Sequence, residues 1–199
     1  MIRFLIKSLT LVLLLTVTVA AEKTDETAKQ FRAFRLTTVN GQLIAPFADS
    51  STKAVALIFV AHDCPVANAF QPSLAAFHKT YAEQGVVCVQ VHCSSLVTGD
   101  AVKKHVVDFG IKMPVVFDPE QKLGRLAGAK VTPEAIVIDR TGTVRYRGAI
   151  NNLYAGYGKK RRVATLHYLH DAVDALLAGE TVKTPRAKPV GCFIHYAET

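Results

Sequence analysis

Cys64 ends the run Ala56-Leu57-Ile58-Phe59-Val60-Ala61-His62-Asp63 and directly precedes a proline. A cysteine reacts as the thiolate, and a helix N-terminus can lower its pKa from about 8.5 to roughly 3.5–7.5. Pro65 suits the first helical position, where its missing N–H costs nothing, so the spacing predicts Cys64 at the positive end of a helix dipole. His62 offers an imidazole as base or imidazolium partner, whereas Asp63 would raise the thiol pKa if close. Cys192 is the second candidate. Gly191 before it and Pro189 nearby suggest a turn in a tail that folds back over the Cys64 end. Two readings of the pair stand side by side. Cys192 resolves a mixed disulfide or sulfenic acid on Cys64, or the two form a permanent staple, worth about 4–5 kcal/mol on the chain-entropy model.

The other cysteines carry weaker signals. Cys88 falls mid-strand and reads as a small core hydrophobe. Cys93 falls at the carboxyl end of the same strand, which in open α/β sheets is the ligand-binding edge. Five residues apart, they face opposite sides and should not pair. His62, Cys64, His92, Cys93, Cys192 and His195 are together the ingredients of a soft-metal site. A copper-binding alternative would rest on His62, Cys64, Cys93 and His195. The primary expectation holds no cofactor.

The elements that must position these residues follow from apolar runs and stop signals. Ala54 to Val60 and Val86 to His92 are apolar runs suited to buried parallel strands. Between them a helix is expected from Pro65 to Gln84, kinked at Pro72 and closed by Gly85. Asn40-Gly41 marks a small N-terminal hairpin within Phe31 to Phe47. Asp100 is expected to cap a helix to Phe109, Met113 to Phe117 is a strand, and Pro119 to Leu126 a short helix. Thr132-Pro133 precedes a buried strand, so the proline must stand at its first position. Arg140-Thr141-Gly142 turns into a partner strand to Arg147, and helix Thr165 to Leu177 closes the domain. This order is an α/β layered domain with a central mixed sheet flanked by helices.

The chain has 199 residues, half of them apolar, enough for one well-buried domain. Arg3 and Lys7, the apolar stretch from Leu9 to Val19 and Ala20-Ala21 have the layout of an export signal over 1–21. The protein is therefore expected in the periplasm or secreted, without stable membrane insertion after cleavage. A polar leader over 22–30, a domain over 31–183 and a tail over 184–199 follow. Removing Arg3 and Lys7 takes the net charge from +8 to +6. No aromatic-interleaved basic stripe accompanies that excess, so no nucleic-acid partner is expected. Lys159-Lys160-Arg161-Arg162 reads as a solvated loop.

The order of elements and the segment Phe59 to Pro65 resemble the thioredoxin-like superfamily, and within it the redoxin, or AhpC/TSA, branch. Pro72 matches the proline that bends the family's active-site helix, and Thr132-Pro133 matches its cis-proline facing the redox cysteine. The resemblance covers roughly Phe31 to Gly179. It implies a thiol oxidoreductase whose partners are a protein disulfide or peroxide and an electron donor. Cys64 would be the nucleophile, and Pro133, with Thr132, Pro65, Asp63 and Arg147, would shape the substrate groove beside Asn151 and Asn152. The departures are specific. Ala67 replaces the second cysteine of a Cys-x-x-Cys motif, leaving resolution to a distant thiol. Asp63 replaces the usual tryptophan, Ile58 the buried acid, and Ala61 the hydroxyl residue that binds peroxide in peroxiredoxins. A redox-silent binding module stapled through Cys64 and Cys192 is the other alternative.

Overall fold

The computed structural model describes residues 25–198, so the expected export signal over 1–21 lies outside the described residues. Its centre is a six-stranded mixed sheet in the order β11-β8-β7-β3-β4-β5. Strands β3 (Ala54–Val60) and β4 (Val86–His92) are parallel and in continuous register, Ala54 opposite Val86 and Val60 opposite His92. Every residue of β3 is buried, as its unbroken apolar run requires. On its other side β3 pairs antiparallel with β7 (Glu134–Asp139), which turns at Gly142 into β8 (Val144–Gly148). Strand β5 (Val115–Phe117) continues the parallel part beyond β4.

Alternate residues of β3 feed two cores. Ala54, Ala56, Ile58 and Val60 face Leu74, Phe77, Leu169 and Val173, while Val55, Leu57 and Phe59 face Phe31, Leu123 and Ala127. The first core is covered by α3 (Gln71–Tyr81) and α6 (Tyr168–Leu177), the second by α1 (25–33) and α5 (Lys122–Ala127). Each fully buried Leu, Ile, Val or Phe contributes roughly 1.5–3 kcal/mol, so the two layers, rather than helix propensity, hold these short helices. The N-terminal hairpin pairs β1 (Leu36–Thr37) with β2 (Leu43–Ile44) around Gly41.

Several boundaries differ from the sequence expectation. The helix after Cys64 is two helices. One turn, α2 (Pro65–Ala69), stops at Phe70, and Pro72 lies in the first turn of α3. A proline is tolerated at that position because the first helical N–H groups are unpartnered anyway, so it starts a helix instead of kinking one. Helix α4 (Gly99–Asp108) is capped not by Asp100 but by Thr98, whose hydroxyl accepts the Ala101 N–H at 3.2 Å. The leader expected over 22–30 is helical from residue 25, and α1 buries Ala28 and Phe31. Lys159–Lys160 form an exposed strand, β10, paired with β9 (Tyr154–Gly156).

The last residues cross the molecule as a strap. Strand β11 (Arg186–Ala187) joins the sheet parallel to β8, and β12 (Cys192–Phe193) pairs antiparallel with β6 (Val131–Thr132). Beyond it, Ile194 N–H donates to the Lys130 carbonyl at 2.9 Å and the Tyr196 hydroxyl to the Ala129 carbonyl at 2.8 Å. Among the described residues no helix is long and apolar enough to cross a membrane.

Candidate active site

Cys64 occupies the N-cap of α2 with an extended backbone (φ −86°, ψ 109°) and its Sγ accepts the Ala67 N–H at 3.4 Å. Pro65 follows at the start of the helix and offers no competing donor. Because α2 is one turn long, the sulfur is held by this local N–H rather than by the dipole of a long helix. On its other side the thiol donates to the Thr132 carbonyl at 3.1 Å. The Thr132-Pro133 peptide bond is cis. The β12–β6 pairing sets Cys192 directly opposite Thr132, and so brings it against Cys64. Both cysteines are thiols in this structure.

The two sulfurs differ in charge preference. Burial works against a Cys64 thiolate, but the Cys192 thiol, the Ala67 N–H, Thr132 and the Cys192 backbone outweigh it, and Cys64 titrates below an ordinary cysteine. Cys192 is pushed up to about 12 by burial, by donating to Cys64, and by the negative charges of Cys64 and Asp63. Of the two, Cys64 gives up its proton the more readily and Cys192 keeps its own.

A cleft of about 400 Å³ opens beside them, lined by His62, Asp63, His92, Ser94, Cys192 and His195 among others. His62 Nδ1 lies 3.7 Å from the Asp63 carboxylate. Its carbonyl accepts the Asn68 amide at 2.8 Å, and Asn68 Oδ1 lies 2.9 Å from His105 Nε2. His105 stacks edge-on against His92 at 5.1 Å. His92 is thus buried beside two other imidazoles. Burial first, then His105 and His62, drive its pKa down to about 3. A histidine held neutral in the fold but free to protonate when unfolded makes stability fall as pH drops below about 6.5, and keep falling towards pH 3. The expected slope is at most about 1.4 kcal/mol per pH unit. Urea unfolding between pH 7 and 4 checks this, and His92→Asn should flatten the curve.

Some expected site residues lie elsewhere. Arg147 does not line the cleft. Its guanidinium packs on Gly128, donating to that carbonyl at 3.4 Å, beside Glu134 and Arg186. Asn151 borders a small hollow beside Pro133, apart from the cleft, and Asn152 holds its own loop, its Oδ1 accepting the Thr165 N–H at 2.8 Å. The metal set of His62, Cys64, Cys93 and His195 is not assembled, and among the described residues no three metal-binding side chains converge. Cys93 borders the cleft, but it belongs to the opposite core from Cys64 and packs against Gly124 and Tyr196. Burial pushes it up to about 12. Cys88 lies on the Cys64 side of β4.

Two residues that sequence reasoning missed hold the strap and its partner strand. Glu134, buried at the start of β7, accepts the Lys130 and Val131 N–H groups at 2.6 and 3.2 Å, fixing β6. An acid opening an otherwise apolar strand was its signal. Gln121, buried with φ 58°, donates to the His195 carbonyl and accepts the Ala197 N–H, both at 2.7 Å. Gln121→Ala removes both bonds and should destabilise the fold by about 2 kcal/mol, seen as a lower urea midpoint and faster exchange of the Ala197 amide. Nothing in the local sequence marks it.

The AhpC/TSA family model matches residues 27–147. A hypothetical protein of Sinorhizobium meliloti 1021 superposes with TM-score 0.71 at 29% identity, over 83% of this chain and 92% of its own. An uncharacterized conserved protein from Geobacillus kaustophilus gives TM-score 0.72 at 23% identity, over 83% and 89%. A secreted Mycobacterium tuberculosis disulfide oxidoreductase, homologous to E. coli DsbE, gives 0.53 at 17% identity, over 75% and 98%. The latter two are likenesses of fold. No curated protein matches the chain.

Proposed function

The chain belongs to the AhpC/TSA family, and on that premise we propose that it is an exported thiol–disulfide oxidoreductase whose redox couple is Cys64 and Cys192. The carrying observation is geometric: the β12–β6 register sets Cys192 opposite Thr132, the residue whose carbonyl accepts the Cys64 thiol, and of the two sulfurs Cys64 ionises the more readily. A dithiol of this kind passes two electrons by forming and opening a bridge, and the lower-pKa sulfur is the better leaving group. Cys64 is the nucleophile of the intramolecular step. Thr132 and the cis-Pro133 turn present the backbone against which Cys192 is held. His62 and Asp63 border the entrance, and burial, Cys64 and to a lesser degree Asp63 keep Cys192 protonated.

Disulfides are favoured over peroxides as substrates. Ala61 carries no hydroxyl to orient a peroxide, and Cys64 is covered by the strap. Export is supported by the signal-like layout of residues 1–21, and the fold is shared with a secreted disulfide oxidoreductase. The test uses a reduced dithiol peptide with glutathione disulfide and a trace of the protein. Peptide bridging through many turnovers per protein molecule is expected. A rate equal to that of glutathione disulfide alone would overturn the reading.

A further inference from the structure

Cys64 is the reactive sulfur by charge, yet its exposure is 0%, enclosed by α2, Thr132 and the strap. The cleft presents Cys192 and does not reach Cys64. Exchange at a disulfide requires the incoming sulfur to line up with the bond it breaks, and depends on access to the sulfur attacked. Cys64 is fully buried, so an incoming sulfur has no open approach to it. Cys192 is open from the cleft side. We propose that Cys192 is the sulfur that meets the partner, so that the bridged protein oxidises thiols through a mixed disulfide on Cys192. This inference rests on the redox couple proposed above.

The steps balance as follows. A partner thiolate bonds to Cys192 Sγ as the Cys192–Cys64 bond breaks and its electron pair leaves on Cys64, where the Ala67 N–H faces the sulfur and stabilises the thiolate. A second partner thiolate then attacks the partner's sulfur, forming the partner disulfide and releasing Cys192 as a thiolate. Cys192 takes up a proton at once, in keeping with its raised pKa. Two partner thiols lose two electrons and two protons. The protein sulfurs gain the electrons, Cys192 one proton and solvent the other. In the reverse direction Cys64 attacks the mixed disulfide at Cys192 and expels the partner.

The wild-type full chain tests this. The protein is first oxidised and its bridge mapped by mass, then mixed briefly with 2-mercaptoethanol, quenched in acid, alkylated unfolded and mapped again. The adduct is expected on Cys192 with the alkyl label on Cys64, in at least about tenfold excess over the opposite pattern. The adduct on Cys64 would overturn the inference and leave the redox couple standing. If no Cys64–Cys192 bridge is found before the thiol is added, the couple itself fails, and the inference with it.

Discussion

Cys64→Ser is expected to abolish exchange, lowering turnover with the dithiol peptide by at least about a thousandfold, to the uncatalysed background. Serine keeps the size of the side chain and its place at the N-cap of α2, so the fold should survive. It cannot exchange with sulfur and is not ionised near neutral pH. Cys192→Ala should be nearly as damaging, and adds a distinguishing effect. Hydrogen bonding from Cys192 is the largest favourable contribution to the Cys64 thiolate, so its removal should raise the Cys64 pKa. The sign is definite. Wild-type Cys64 stays a thiolate further into acid than an ordinary cysteine and loses it as pH falls through its lowered pKa. In Cys192→Ala, which has no donor at that position, that loss moves to higher pH. Ultraviolet thiolate absorbance against pH reads both proteins, and an unmoved midpoint would mean that the Cys192 side chain does not charge-tune Cys64.

The second large effect is geometric. A Cβ added at Gly191 would collide with the Thr132 carbonyl oxygen and lie 3.2 Å from Pro133 Cδ. The first contact is with backbone held by the β6–β12 pairing, so the strap must move. Gly191→Ala should therefore part Cys192 from Cys64. Expected are a fall of about tenfold or more in the rate of bridge formation and faster alkylation of Cys64 in the folded protein. Gly156→Ala is the control. Its Cβ would meet only Lys159 Cδ at 3.9 Å, and bridging should be unchanged. Bridging as fast in Gly191→Ala as in the wild type would show that the close approach of the strap is not what aligns the sulfurs.

What the sequence made legible was what local patterns encode. The apolar runs of β3 and β4 define the sheet centre without reference to anything distant, and Gly85 at φ 85° closes the intervening helical segment as a C-terminal glycine should. Cys64-Pro65 could be read as a helix start from adjacent residues alone. The break at Phe70 was not legible, since a proline near a helix start and one inside a helix differ only by where the helix begins. Thr98 and Asp100 are both good caps, and only backbone conformation chooses between them. Arg147 looked like a groove residue by loop position, but its strand orientation turns it towards Gly128. The partnership of Cys64 and Cys192 depends on the path of the strap. That path is set by Gln121, whose bonds to the distant His195 and Ala197 backbone leave no pattern in the residues around it, while Glu134 fixes the partner strand through nearby backbone. Gly191 was the one local hint.

The central claim is that Cys64 and Cys192 form a reversible couple in the folded protein. Its most direct test equilibrates the full chain in a series of dithiothreitol or glutathione redox buffers, traps the thiols in acid, and weighs the bridged fraction by mass while circular dichroism follows the fold. The account predicts one two-electron transition above about −300 mV, the bound below which structural disulfides lie, with the fold intact on both sides. A bridge that opens only below that bound, or only when the protein unfolds, would make the pair a staple and contradict the account.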